Sequence, residues 1–387
     1  MLQRLDALII IGAGESQVPF IEKAKKFKLK TVVIDKNPNS PGFKIADIQI
    51  PISTYKTNKV IFELEKLSKK YNFVSVICRS SGKALYTAAE ISEKFKLKGL
   101  SKKIIPIAIE KSELRLFCNK NNLPMPKGIK IKNYKNFNLQ FPLPVIVKPD
   151  LPIYGKRDIT LIHDEKQLED AIIKACRASE NGYAELEEYI EGIDVSSMFI
   201  IENRKSKIIV NWDELVGIDK NNNIVGLGVS IPSVINEKKI LENIQKIISK
   251  FSSLFLNIES LLIMSFRISL EGNIKIIELH ADLGGDLIAD KLLPKSNSNI
   301  DFFEMVIKSS ITTFDSINIL PLRPTALVYN KSKYNQKDYK NYELSSQDIF
   351  FQNKSISTIH QDIFNLFNNS KSISSLPLHN NWMKLYS

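Results

Sequence analysis

Leu8-Ile9-Ile10-Ile11 runs without interruption into Gly12-Ala13-Gly14. A continuous aliphatic run has no polar side to turn to water. It therefore fits a strand covered on both faces, as in a parallel sheet, better than an alternating surface strand. The next segments keep that rhythm. Pro19–Phe27 carries Phe20, Ile21, Ala24 and Phe27 on one helical face, with Lys and Glu on the other. Thr31–Asp35 reads as a second strand, closed by the turn-rich Asn37–Gly42. Val60–Tyr71 is the next amphipathic helix, Phe73–Cys78 the next strand and Ala84–Phe95 a third helix. Such alternation predicts a parallel sheet with helices on both faces.

The glycine pair invites a dinucleotide reading, with Asp35 at the end of the second strand suited to a ribose. The full G-x-G-x-x-G pattern needs a third glycine where this chain has Gln17. Gly12–Gly14 therefore reads first as a tight strand-to-helix turn.

At 387 residues the chain exceeds one ordinary core, and its character changes near residue 105. Ile104–Asn121 predicts one helix, ending before Leu123-Pro124-Met125-Pro126. Strands are expected at Lys127–Ile131, Pro144–Lys148 and Glu185–Ile190, and a helix at Leu168–Ala178. Val195–Glu202 with Ser206–Asn211, and Leu261–Ile268 with Ile274–Leu279, read as hairpins around polar or glycine turns. Glu237–Phe255 is a long amphipathic helix. The Asn- and Ser-rich end offers strands at Thr325–Asn330 and Ile349–Gln352 and a helix at Ser357–Phe367. The fold class is thus α/β at the start and α+β afterwards.

Several function classes recede on composition. No stretch reaches the roughly 18–20 uncharged apolar residues of a spanning helix, and the first apolar run is too short for a signal sequence. The net charge of +12 comes mostly from scattered Lys, with neither a basic block nor an Arg stripe. It gives no specific pointer to nucleic acid. Cys78, Cys118 and Cys176 are odd in number and far apart, and no His pair has ligand spacing. A reducing cytoplasm fits this usage.

Four segments carry residues that could do chemistry. Pro144–Pro149 ends an apolar strand in Lys148, costly to bury unless its ammonium meets an anion. Asp150–Asp158 holds Gly155, Lys156 and Arg157, which could close on phosphates. Glu185–Asp194 offers strand backbone that could meet a purine edge, with a carboxylate beyond it for a ribose diol. Glu278-Leu279-His280-Ala281-Asp282 puts two carboxylates and an imidazole at alternate positions, followed by Gly284, Gly285 and Asp286. Taken singly, each also reads as a strand end, an exposed turn or an acidic hairpin edge.

In this order the segments resemble the ATP-grasp superfamily, most closely its carboxylate–amine ligases and the carbamoyl-phosphate-synthetase-like and biotin-carboxylase-like enzymes, over residues 1 to about 315. The resemblance implies a Rossmann-like domain over 1–105, an ATP-grasp domain over 106–315 with its lid at about 112–190, and a small C-terminal α+β cap over 316–387. It implies ATP and Mg²⁺ (or Mn²⁺) as cofactors. Lys111, Lys148, Gly155 and Lys156 would contact the phosphates, Glu187, Glu188 and Ile190 the adenine, and Asp194 the ribose. Glu278 and His280 would hold metal, with Lys148, Glu278 and Asp282 as the catalytic set. Arg79, Ser80, Gly284 and Gly285 would face the second substrate.

The implied reaction joins a small carboxylic acid, an amino acid included, to an amine through an acylphosphate, releasing ADP and phosphate. The implied partners are small molecules, not nucleic acid or membrane, and a homodimer is compatible with the family. Three departures stand out: a lid loop with only Gly155, His280 and Asp282 where the family has Asn and Arg, and Ser265 where the preceding strand usually brings a carboxylate. They keep a second reading open, a nucleotide-binding protein with weak or no catalysis.

Overall fold

The computed structural model describes residues 4–132, 139–153, 158–256, 258–284, 287–312, 321–334, 336–339, 342–345, 347–368 and 373–375. The first sheet contains β1 (Leu5–Ile11), β2 (Lys30–Ile34), β3 (Ile48–Ile50) and β4 (Tyr71–Cys78), all parallel, in the order β3-β2-β1-β4. The aliphatic run of β1 serves two cores at once. Ile9 and Ile11 pack with Val60 and Leu64 of α2 (Thr57–Leu67) and Ala88 of α3 (Ala84–Phe95). Leu8 and Ile10 pack on the other face with Phe20 and Ile21 of α1 (Val18–Ala24). The expected doubly covered parallel sheet is present. Only the short β3 was not legible, because three residues are too few for a pattern.

The expected helix over 104–121 is two. α4 (Ile105–Ile109) stops at Glu110, whose backbone is extended, and α5 (Lys111–Lys120) begins anew. The physical reason lies in Asp150, distant in sequence and fully buried. Its carboxylate accepts the Ser112 N–H (2.7 Å) and hydroxyl (3.0 Å), and its carbonyl accepts the Lys111 N–H (3.1 Å). A carboxylate on these unpaired amides starts a helix there. Burial opposes its charge, but Lys130, Ser112 and Asn181 hold the carboxyl below its ordinary range.

A small antiparallel sheet comes next: β5 (Gly128–Ile131), β6 (Val145–Pro149), β7 (Thr160–Ile162) and β8 (Ala184–Glu188), in the order β5-β8-β6-β7. Val145 and Val147, with Ala184 and Leu186, pack against Leu168 and Ile172 of α6 (Leu168–Arg177). Side chains alternate along a strand. Ile146, Lys148, Glu185 and Glu187 therefore face away from that core.

The large sheet runs β13-β12-β9-β10-β11-β14-β16-β15, every pair antiparallel. Its strands are β9 (Gly192–Glu202), β10 (Lys205–Asp219), β11 (Ile224–Ile231), β12 (Ser260–Ser269), β13 (Ile274–His280), β14 (Thr325–Val328), β15 (Glu343–Leu344) and β16 (Ile349–Gln352). β17 (Ile373–Ser375) pairs with the end of β10. One face packs on α7 (Lys238–Ser253): Val195, Phe199, Leu262, Met264 and Phe266 meet Ile244, Ile248 and Phe251. The opposite face carries Asp194, Ser196, Met198, Ile263, Ser265 and Arg267. β11 and the second half of β10 had escaped the sequence reading, because Gly226, Gly228 and the acidic pair Asp213-Glu214 blur the apolar pattern. Among the described residues no helix is long and apolar enough to cross a membrane.

Candidate functional site

The free faces of the small and large sheets enclose a cleft. Ile146 and Lys148 come from β6, Glu187 and Glu188 from β8, Asp194 from β9, Glu214 and Val216 from β10, Ser265 and Arg267 from β12, and Glu278 from β13. Ile159, Ile190, Ile224 and Ile277 add apolar walls, the lining a flat apolar ring requires.

Charge is concentrated at one end of this cleft. Lys148 is buried and ion-paired with Glu187. Burial first, then the positive charges of Lys111 and Arg115, pull its ammonium down to about 7. Lys111, first residue of α5, reaches Glu278 Oε1 at 3.1 Å. Beneath them Arg115 pairs with Glu185, lies 3.4 Å from Glu187 and donates to the Pro126 carbonyl. Gly128 makes room for it: a Cβ there would stand 2.5 Å from Arg115 Cζ. Sequence reading missed Arg115, since a lone arginine on an amphipathic helix looks solvated.

At the other end Asp194 is gripped by Arg267, whose Nη2 donates at 2.9 Å, and Arg267 Nη1 donates to the Ile190 carbonyl at 2.8 Å. Glu188, also in the cleft lining, accepts the Lys127 N–H at 2.9 Å. Glu187, Ile190 and Asp194 thus share one cleft with Lys148, and Lys111 closes it through Glu278.

A larger cavity of about 710 Å³ adjoins the cleft and shares Glu214 and Glu278 with it. Its lining brings Ser81, Gly82 and Lys83 from the loop after β4 together with Pro152 and Ile153, and with Met198, Trp212, His280, Asp282 and Gly284. Glu214 is a site carboxylate that the sequence reading missed; an acid in a buried strand beside Trp212 was the available signal. Its Oε1 accepts from Ser196 Oγ (2.9 Å) and Trp212 Nε1 (3.1 Å), and Ser196 Oγ is 2.8 Å from Ser265 Oγ. Glu278 and His280 share one face of β13, with Nε2 3.5 Å from Oε2. Among the described residues no group of three His, Cys, Asp or Glu side chains is gathered for a metal. Glu214 and Glu278 offer the oxygen donors that Mg²⁺ takes alongside waters and substrate phosphates.

Arg79 and Ser80 do not line this cavity; the neighbouring Ser81, Gly82 and Lys83 do. Arg79 instead binds Asp290 (2.9 Å) and reaches the Gly284 carbonyl (3.4 Å), tying the first sheet to the loop after β13. Asp282 accepts the Gly284 N–H at 3.2 Å. Gly155, Lys156 and Gly285, with Arg157 and Asp286, lie outside the described residues.

No protein-family model and no curated protein matches the sequence. Solved structures do match in fold. The L-amino acid ligase from Bacillus licheniformis superposes with a TM-score of 0.71 at 16% identity, over 95% of this chain and 98% of that one. N5-carboxyaminoimidazole synthetase from Staphylococcus aureus, complexed with ADP, gives 0.68 at 16% identity, over 94% and 97%. Biotin carboxylase from Campylobacter jejuni, in a β-γ-ATP complex, gives 0.63 at 14% identity, over 97% and 94%. The likeness covers nearly the whole chain, and this chain has the ATP-grasp fold.

Proposed function

We propose that the protein is an ATP-dependent ligase that joins a small carboxylic acid, an amino acid included, to an amine through an acylphosphate. The observation that carries this reading is the meeting of two unlike cavities at Glu214 and Glu278. One is walled for a flat ring and carries buried ammonium groups; the other opens towards the first sheet. We divide the chain accordingly into 1–105, 106–315 with a lid at about 112–190, and 316–387.

In this reading Ile146, Ile190 and Val216 sandwich the adenine and Asp194 meets the ribose. Lys148 and Lys111 exchange their carboxylate partners for phosphate oxygens. A carboxylate oxygen of the acid attacks the terminal phosphorus as the bond to ADP breaks. The amine nitrogen then attacks the acyl carbon, phosphate departs with the C–O electron pair, and the nitrogen loses a proton. Asp282 is our candidate to take it. Mg²⁺ or Mn²⁺, when bound, neutralises phosphate charge. Glu278 with Glu214 would hold it better than Glu278 with His280, since imidazole suits softer ions.

The test is ADP release from Mg²⁺-ATP with and without pooled amino acids and small carboxylic acids. ADP formed only with a metabolite pool is the expected result. Nucleotide binding with silence across every pool would favour the weakly catalytic alternative, for which Ser265 in the metal-side strand speaks.

A further inference from the structure

The face of the large sheet that lines the cleft and the larger cavity changes chemistry in register, one residue pair at a time. Asp194 stands opposite Arg267, then Ser196 opposite Ser265, then Met198 opposite Ile263. The first pair lines the nucleotide cleft, and the last floors the larger cavity together with Trp212, Leu283 and Ile288. Trp212 spends its only N–H on Glu214, so its ring offers the cavity carbon alone. The lining of the same cavity carries four acids, Glu180, Glu214, Glu278 and Asp282, against one described lysine, Lys83; Lys83 is ion-paired with Glu180 and Lys111 with Glu278.

We propose that this cavity selects a primary amine bearing a nonpolar side chain, the chain packing on Met198, Trp212, Ile263, Leu283 and Ile288 and the ammonium turned towards Asp282. This rests on the ligase reading for turnover but not for binding. Carbon surface rewards a nonpolar group. A second carboxylate on the ligand would meet like charge, and a polar chain would leave its hydrogen bonds unmade on the apolar floor.

Two measurements on the full chain with Mg²⁺-ADP or Mg²⁺-ATP decide it. Equilibrium dialysis compares leucine, methionine and phenylalanine with aspartate, asparagine and lysine, and ADP release compares the same set in the presence of pooled small carboxylic acids, which supply the acid to be phosphorylated. The expected result is roughly tenfold or greater preference for the nonpolar set in both Kd and kcat/KM. Ile263→Ala and, separately, Met198→Ala should each shift the ratio several-fold towards phenylalanine. Equal or reversed preference, or no binding of any member, overturns the inference. Binding with the nonpolar preference but no ADP release upholds the inference and defeats the ligase reading, so the two fail separately.

Discussion

The turn after β1 and the cleft between the small and large sheets both read, in sequence, as places for a nucleotide, and they differ in what their own side chains have already filled. At the turn, Gln17 is buried against Gly12, which has a positive φ of 95°, and donates to the Arg79 carbonyl at 2.8 Å. Asp35, the would-be ribose ligand, accepts the Ala13 N–H and the Asn37 N–H, each at 2.9 Å. Those polar groups are already matched without an anion. In the cleft, buried Lys148 and Lys111 are balanced by carboxylates that a phosphate chain could replace. Charge held against burial, rather than a glycine pattern, is what separates a candidate site from a turn.

This contrast can be broken in four ways, of decreasing size. Lys148→Met or Glu278→Gln should lower ligase turnover by about 10³-fold or more while the fold survives, with ATP binding still measurable in Glu278→Gln; steady-state ADP release and circular dichroism check it. Unchanged turnover in Glu278→Gln would remove Glu278 from the metal site. Arg115→Met strands Glu185 and Glu187 in the interior and should cost about 3–5 kcal/mol in denaturant unfolding. A loss under about 1 kcal/mol would mean that the buried cluster is not held by charge.

The third way uses pH. Lys148 loses its proton above about 7, and phosphates favour the charged form, so nucleotide binding draws a proton in. Affinity should therefore be flat below pH 7 and fall by up to about tenfold per unit above it. Calorimetry at about pH 8 in buffers of different ionisation enthalpy would count the proton taken up, and Lys148→Met should abolish the uptake. Smallest is Gln17→Gly, which completes G-x-G-x-x-G. It should lose about 1 kcal/mol of stability through the missing hydrogen bond to Arg79. It should also gain no affinity for nicotinamide dinucleotides by fluorescence titration. A gain would show the turn to be a masked dinucleotide site.

Much of the site was legible because strand chemistry is local. Lys148 ends an apolar strand, and alternation alone turns it away from Val147; the same rule puts Glu278 and His280 on one face. Glu214, Arg115 and the break at Glu110 were not legible. Each is defined by a residue far off in sequence: Ser196 for Glu214, Glu185 for Arg115, and Asp150 for the start of α5. Arg79 shows the same limit in reverse. Its position beside the cleft was expected, but Asp290 claims its guanidinium.

Periodicity and burial by themselves determined the doubly covered first sheet, the hairpins of the large sheet and the order of candidate binding segments. Those are set by which side chains shun water within a few residues of one another. Tertiary structure alone decided which charges oppose which, and that the cleft and the larger cavity meet at Glu214 and Glu278. Electrostatic pairing acts across space between strands whose neighbours are set only when the sheets assemble, and no local pattern records it.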